Sequence, residues 1–165
     1  MPSVTYKADV QEFQQLLNDL DRAADSLAKR AIYEGAKVAG AEIRSQIEGI
    51  PEDDYRILKD DDRFEYVTPR EKQGLLDGLG IPKMEGDAMR GWNTKIGFDG
   101  YAKGTAKTKS YPRGTPNALV ARSLEIGTSV RMKYPFIRRA MNRCKNKVVE
   151  AMDKQLNADI AKIAK

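Results

Sequence analysis

Ser123–Leu124–Glu125–Ile126–Gly127–Thr128, followed after a basic connector by Tyr134–Pro135–Phe136–Ile137–Arg138–Arg139–Ala140, decides the fold of this chain. Glycine reaches backbone conformations closed to other residues, so Gly127 ends the helix that precedes it. Proline lacks the N–H that a first helical turn leaves unpaired anyway, so Pro135 opens a second helix. The stretch from Leu124 to Ala140 therefore reads as helix, stop, connector, helix. Gly127–Thr128 is not a phosphate loop, because it lacks the Gly-x-x-x-x-Gly-Lys pattern and follows a helix where such a loop precedes one.

Working outward, Ile137, Met141, Cys144, Val148, Met152, Leu156, Ile160 and Ile163 recur in steps of three and four. That is the stripe of an amphipathic helix, roughly 40 Å long at 1.5 Å per residue. Its opposite side carries Arg139, Arg143, Lys147, Glu150, Asp153 and Lys154. Ala118–Ile126 forms the short helix before the stop. At the other end of the chain, Ser3–Lys7 is a β-prone start, and Asp9 with Glu12 makes a capping-box pattern. Phe13, Leu16, Leu17 and Leu20 keep to one face. Asp21 offers a second start, and Ile32, Ala36, Ala39, Ile43 and Ile47 carry the period to about Ile47. Ala28, Ala31, Gly35, Ala36, Ala39 and Gly40 are small enough to let another element approach closely. Between these helices, Tyr55–Leu58 and Phe64–Thr68 are candidate short strands and Arg70–Leu79 a short helix stopped by Gly80 and Pro82. Arg90–Tyr101 alternates Trp92, Thr94, Ile96 and Phe98 on one side, the best strand of the chain. Residues 102–116 are rich in Gly, Lys, Thr and Pro and read as a flexible basic loop. The expected architecture is α+β in one domain, residues 1–165: a small, mainly antiparallel sheet packed against a long N-terminal helix and a long C-terminal helix.

Composition narrows the chemistry. Among 165 residues there is no histidine and one cysteine. Histidine is the commonest general base at neutral pH and the commonest metal ligand, so ordinary zinc sites and Ser-His or Cys-His pairs are excluded. One cysteine excludes an internal disulfide and agrees with a reducing compartment. The acidic triplet Asp60–Asp62 lacks the glycine and spaced ligands of a calcium loop. The expectation is no enzyme, no cofactor and no metal, although carboxylate or lysine chemistry is not ruled out by residue type. No apolar run is long enough to span a membrane. Met1–Thr5 lacks the basic-then-apolar order of a secretory signal, which points to an intracellular product.

Charge is unevenly divided. From Glu48 to Glu65 eight acids face three bases, a local balance of −5, and from Tyr101 to Lys147 twelve bases face Glu125 alone, a balance of +11. Such patches can steer head-to-tail association of identical copies, or can be solvated faces that differ in sign. The candidate subunit or DNA contacts are Lys103, Lys107, Lys109, Tyr111, Arg113, Arg131 and Lys133. These cations could neutralise phosphates without reading sequence, while Tyr101 and Tyr111 stack or anchor. The competing reading is a loop that orders against a neighbouring subunit. Cys144, Met141 and Met152 lie in the apolar stripe and read as packing residues. Trp92 reads as core at a strand–helix contact, or as an interface anchor.

The ordered pattern Leu124-Glu125-x-Gly127-Thr128 … Pro135-Phe136-Ile137-Arg138-x-Ala140, ahead of a long charged C-terminal helix, resembles the neck or tail-completion proteins of long-tailed bacteriophages and prophages. The resemblance is strongest over Ala118–Lys165, looser over Asp21–Ile47 and weak over Pro51–Pro116. A long insertion, residues 51–89, stands where those proteins have a brief link. The resemblance implies a structural virion protein of the head–tail junction: a homo-oligomeric ring that helps join head to tail and forms part of the DNA passage. It implies assembly in the host bacterial cytoplasm, residence in the virion neck or tail, and contact with the adjoining head-connector and tail-tube or tail-terminator proteins. It also implies that Leu124, Glu125, Gly127, Thr128, Pro135, Phe136, Arg138 and Ala140 fix the crossing of the two C-terminal helices. Glu125 is expected to pair with Arg138 or Arg139, across the fold or to the adjacent copy. The alternative function is nonspecific nucleic-acid binding by the basic region 101–147.

Overall fold

The structure, a computed structural model, describes residues 10–52, 67–87, 89–102, 107–129 and 131–164. The expected features at Ser3–Lys7, Asp9, Tyr55–Leu58 and Asp60–Asp62, and most of Phe64–Thr68, lie outside these residues, as does Lys103.

Helix α1 spans Val10–Glu48 without a break at Asp21. No proline interrupts it, so the second start expected at Asp21 is simply a point inside one helix. It stops where Gly49–Ile50–Pro51 leaves the helical path, with the Gly49 amide still donating to the Ser45 carbonyl at 3.2 Å. Helix α2, Pro69–Gly78, is started by a full capping box: the Glu71 amide donates to the Thr68 hydroxyl, and the Glu71 carboxylate accepts from the Thr68 amide at 3.1 Å. Pro69 sits in its first turn, where a missing N–H is harmless.

Four short strands follow: β1 (Leu79–Gly80), β2 (Glu85–Asp87), β3 (Gly91–Asn93) and β4 (Gly97–Phe98). The expected single strand over Arg90–Tyr101 is corrected here to two. β3 pairs antiparallel with β2 and β4 with β1, in separate two-stranded ladders. The register explains the split. Gly80 faces Gly97 and Glu85 faces Asn93, so residues 81–84 oppose 94–96 and one residue is in excess. Pro82 lies in that excess segment, where its missing donor breaks a ladder, and its carbonyl instead accepts from the Thr94 hydroxyl at 3.2 Å. The side-chain alternation survives the interruption, with Trp92, Thr94 and Ile96 half-buried and Asn93 and Lys95 exposed. At the turn, the Asp87 carboxylate accepts from the Met89 and Arg90 amides at 3.0 and 2.8 Å. Trp92 is at the expected strand–helix contact but is only half-buried. Its indole N–H donates to Asp25 at 3.0 Å, and the Lys29 ammonium lies 3.6 Å from the ring centroid.

Helix α3, Asn117–Ile126, and helix α4, Phe136–Ile163, follow as the last elements among the described residues. One core joins them to the first half: Ile43 and Ile47 from the end of α1 with Ile50 just beyond it, Leu75 from α2, Val120, Ala121 and Leu124 from α3, and Phe136 and Ala140 from α4. Phe98 meets Phe136 edge-on at a centroid distance of 6.1 Å, which ties the β1–β4 ladder to this core.

α1 and α4 run antiparallel. Gly35 faces Val148 and Met152, and the Arg30 guanidinium holds Asp159 at 3.0 Å. A Cβ on Gly35 would stand 2.8 Å from Met152 Cγ and 3.2 Å from Val148 Cγ1, so glycine sets the closeness of the two helices. The stripe expected on α4 is turned slightly at its N-terminal end. Phe136, Ala140 and Cys144 are buried there and Met141 is exposed, because the core beneath this end draws on α3 and α1 together. Burial, and then the nearby Glu42 carboxylate, push the Cys144 thiol above its ordinary pKa, so it is a packing residue.

Farther along α4, Asp159 is almost wholly buried and accepts from Lys162 at 2.9 Å and Gln155 at 2.8 Å besides Arg30. The hydrogen bonds from Lys162 and Gln155, with Arg30 beside them, hold its carboxyl below the ordinary aspartate value against the opposing effect of burial. A lowered folded pKa stabilises the fold fully above the ordinary value, near pH 4, and that contribution is lost as pH falls through the lowered one. In thermal melts, Asp159→Asn should therefore be less stable than wild type at neutral pH, with the gap closing as pH falls below about 4. Gly35→Leu should destabilise the fold by about 1–3 kcal/mol in urea titrations, since the new side chain must displace Val148 and Met152.

Candidate functional site: the helix corner and the basic surface

The corner between α3 and α4 is built from main-chain needs. Gly127 closes α3 at φ +76° and ψ 168°, a region open essentially to glycine, and its amide donates to the Ser123 carbonyl at 3.0 Å. The Thr128 amide donates to the Arg131 carbonyl at 2.9 Å, and the Tyr134 amide to the Leu124 carbonyl at 2.7 Å, which folds the connector back onto the end of α3. Pro135 occupies the N-cap of α4 and supplies no side-chain acceptor. The acceptor comes from α3. The Glu125 carboxylate takes the Ile137 amide at 2.9 Å and the Arg138 amide at 3.1 Å. A carboxylate there also meets the positive end of the α4 dipole.

Of the residues assigned to this corner, Leu124, Phe136 and Ala140 are fully buried, and Gly127, Thr128 and Pro135 shape the connector. The pairing of Glu125 takes a different form from the one expected. Arg138 meets Glu125 through its main-chain amide, and the Arg139 guanidinium lies 4.7 Å from the Tyr134 ring centroid. First-turn amides are unpaired by helix geometry, and they claim the carboxylate.

The candidate contact residues do not behave alike. Lys107, Lys109, Tyr111, Arg113 and Lys133 are exposed. Arg131, expected as a subunit or DNA contact, is corrected to a structural residue. It is buried with Glu71, and its Nη2 donates to the Glu71 carboxylate at 2.9 Å. Glu71 thus serves the α2 cap and the connector before α4 at once. The expected loop over 102–116 is pinned at its base, where Tyr101 bridges Pro116 and the Ala102 amide donates to the Thr115 carbonyl at 2.9 Å. Thr108 and Tyr111 exchange main-chain hydrogen bonds at 3.2 and 3.1 Å, which makes this stretch a turn presenting Lys109. Arg113 lies 6.0 Å from the Tyr101 ring centroid.

Sequence reasoning missed Glu71 and Asn117. Glu71 had a signal, since Thr68-Pro69-Arg70-Glu71 is a capping box with proline in the first turn. Asn117 had none. It is buried at the start of α3, donates to the Asp99 carbonyl at 2.7 Å, and reaches α2 because Gly74 and Gly78 have no side chain to bar it. Beside it lies an open cleft of about 550 Å³ edged by Arg70, Gln73, Asp77, Asp99 and Tyr101. No group of three or more Cys, Asp or Glu side chains placed to hold a metal occurs among the described residues. No helix among them is long and apolar enough to cross a membrane.

No family model, no curated protein and no solved structure matches this chain. The corner itself yields a direct test: Glu125→Ala should destabilise the fold by about 1–2 kcal/mol in equilibrium unfolding, the range for losing a helix cap.

Proposed function

We propose that this chain is a structural subunit of a bacteriophage or prophage head–tail junction, a neck or tail-completion protein that associates with copies of itself into a closed ring around the DNA passage. The observation that carries the reading is the Glu125 carboxylate on the Ile137 and Arg138 amides. Through it, the two halves of the ordered pattern act as one rigid joint, which gives a physical reason for those residues to occur together. The division of charge supports the same reading. The first part of α4, Phe136–Val149, carries Arg138, Arg139, Arg143, Lys145 and Lys147 with no acid. Opposite fields on one small block favour head-to-tail contacts, and head-to-tail contacts form rings where the rotation between copies closes.

A second reading is nonspecific nucleic-acid binding, favoured by the exposure of Lys107, Lys109, Tyr111 and Arg113 around one turn. It calls for a steep loss of DNA affinity with rising salt in the isolated protein. The ring reading calls for annular particles in electron micrographs and a matching multimeric mass, from the protein alone or mixed with its adjoining tail-tube protein. A chain that stays monomeric in both settings, while binding DNA with a steep salt slope, would replace the first reading by the second.

A further inference from the structure

Resting on the ring reading, we infer that the first three turns of α1 are an arm that docks on the basic N-terminal half of α4 in the next copy. The antiparallel pairing that sets Arg30 against Asp159 and Gly35 against Met152 brings Ile163, the end of α4, abreast of about residue 25 of α1. From Val10 to Asp21, about 18 Å of α1 extends past that point. Its apolar face does not stop there. Phe13, Leu17, Leu20, Ala24, Leu27 and Ala31 follow in steps of four, three, four, three and four. Leu27 and Ala31 are buried, whereas Phe13 is 59% and Leu17 49% exposed. The stripe that packs within the subunit thus continues for two further heptad steps, with Leu20 half-buried and Phe13 and Leu17 exposed, the pattern of a helix that seats against another helix.

A complementary surface exists on α4. Arg138, Met141, Lys145 and Val149 fall in steps of three, four and four and so share one side of that helix. Met141 is 44% and Val149 53% exposed, and Arg138 and Lys145 are exposed beside them. Charge selects this occupant. Residues 10–25 hold Glu12, Asp19, Asp21 and Asp25 against Arg22, and Phe136–Val149 holds five bases and no acid. Two arms laid on each other would bring like charges together, whereas an arm laid on the next α4 brings opposite charges together with apolar anchors on both sides. The contact uses two different patches of one chain, which is the head-to-tail geometry that a ring requires.

The test combines substitution with cross-linking under conditions in which the wild-type chain forms rings. Phe13→Glu with Leu17→Glu should leave the monomer's melting temperature unchanged and raise the concentration needed for assembly about tenfold or more. Arg138→Glu with Lys145→Glu should weaken assembly as well. Adding Asp19→Lys with Asp21→Lys to that second variant should restore it. In a mixture of Leu17→Cys chains and Val149→Cys chains, a short bis-maleimide should join the two, and Leu17→Cys chains alone should give no dimer. Cross-linked dimers from Leu17→Cys alone would overturn the docking in favour of arm-on-arm pairing. A lowered melting temperature in the Phe13/Leu17 variant would show the arm to be covered within its own copy. Unaltered rings from that variant would remove this contact and leave the ring reading standing. A wild-type chain that neither assembles nor cross-links would remove both.

Discussion

The close antiparallel approach of α1 and α4 is the constraint on which the other elements depend. Gly35 lets Val148 and Met152 rest almost on the α1 backbone. That approach sets the line along which Asp159 meets Arg30 and Cys144 comes near Glu42. At its far end it delivers Ile43 and Ile47 to the core they share with Phe136 and Ala140. The short strands and α2 hold few buried side chains of their own. They gain their order by packing on this two-helix frame, through Phe98 on Phe136 and Trp92 on Asp25 and Lys29. A small sheet of two separate ladders is marginal by itself, and the frame removes that weakness.

Two ionic contacts, one buried on both sides and one between a buried carboxylate and an exposed guanidinium, add direction to the packing. Glu71–Arg131 links the start of α2 to the connector before α4, and Asp159 links α4 to α1. Ion pairs of this kind add little net stability over apolar side chains of the same shape, because desolvation offsets attraction. Their effect is on register. A wrong alignment of the connector would strand Glu71 without its guanidinium, and a one-turn slip of α4 would strand Asp159 away from Arg30. The polar contacts thus penalise alternatives to a frame whose apolar surfaces alone, rich in alanine and glycine along α1, would discriminate weakly.

The parts of this fold that were legible in the sequence are those with a strong local period. The α1 and α4 stripes, the Gly127 stop and the Pro135 start all follow from helix geometry acting on nearby residues. At Arg90–Tyr101 the alternation of side chains is legible in the sequence, whereas the division of the stretch into two strands is not. Alternation is a property of one strand, whereas the interruption at Pro82 belongs to its partner. Arg131 shows a second limit. Counted along the chain it is one of twelve bases, and only tertiary contact with a residue sixty positions away removes it from the surface. For Glu125 the sequence points to Arg138 or Arg139 as a partner, and within the fold the carboxylate meets the unpaired amides of a new helix, those of Ile137 and Arg138.

If copies of this chain do close into a ring, the modest size of any one contact becomes an advantage. An arm of three turns covers far less surface than a stable two-body complex requires, so a free pair would separate readily. In a closed ring every subunit is held on both sides. Release of one contact leaves the other to keep the partners at high effective concentration until the first re-forms. Weak, oppositely charged, head-to-tail contacts therefore permit soluble single copies and a persistent closed assembly from the same residues. A broad self-complementary face would instead stop at dimers. On this argument the exposed apolar side chains of the α1 arm and the acid-free run of bases on α4 are two halves of one device, and the close α1–α4 packing at Gly35 is what fixes the angle between them.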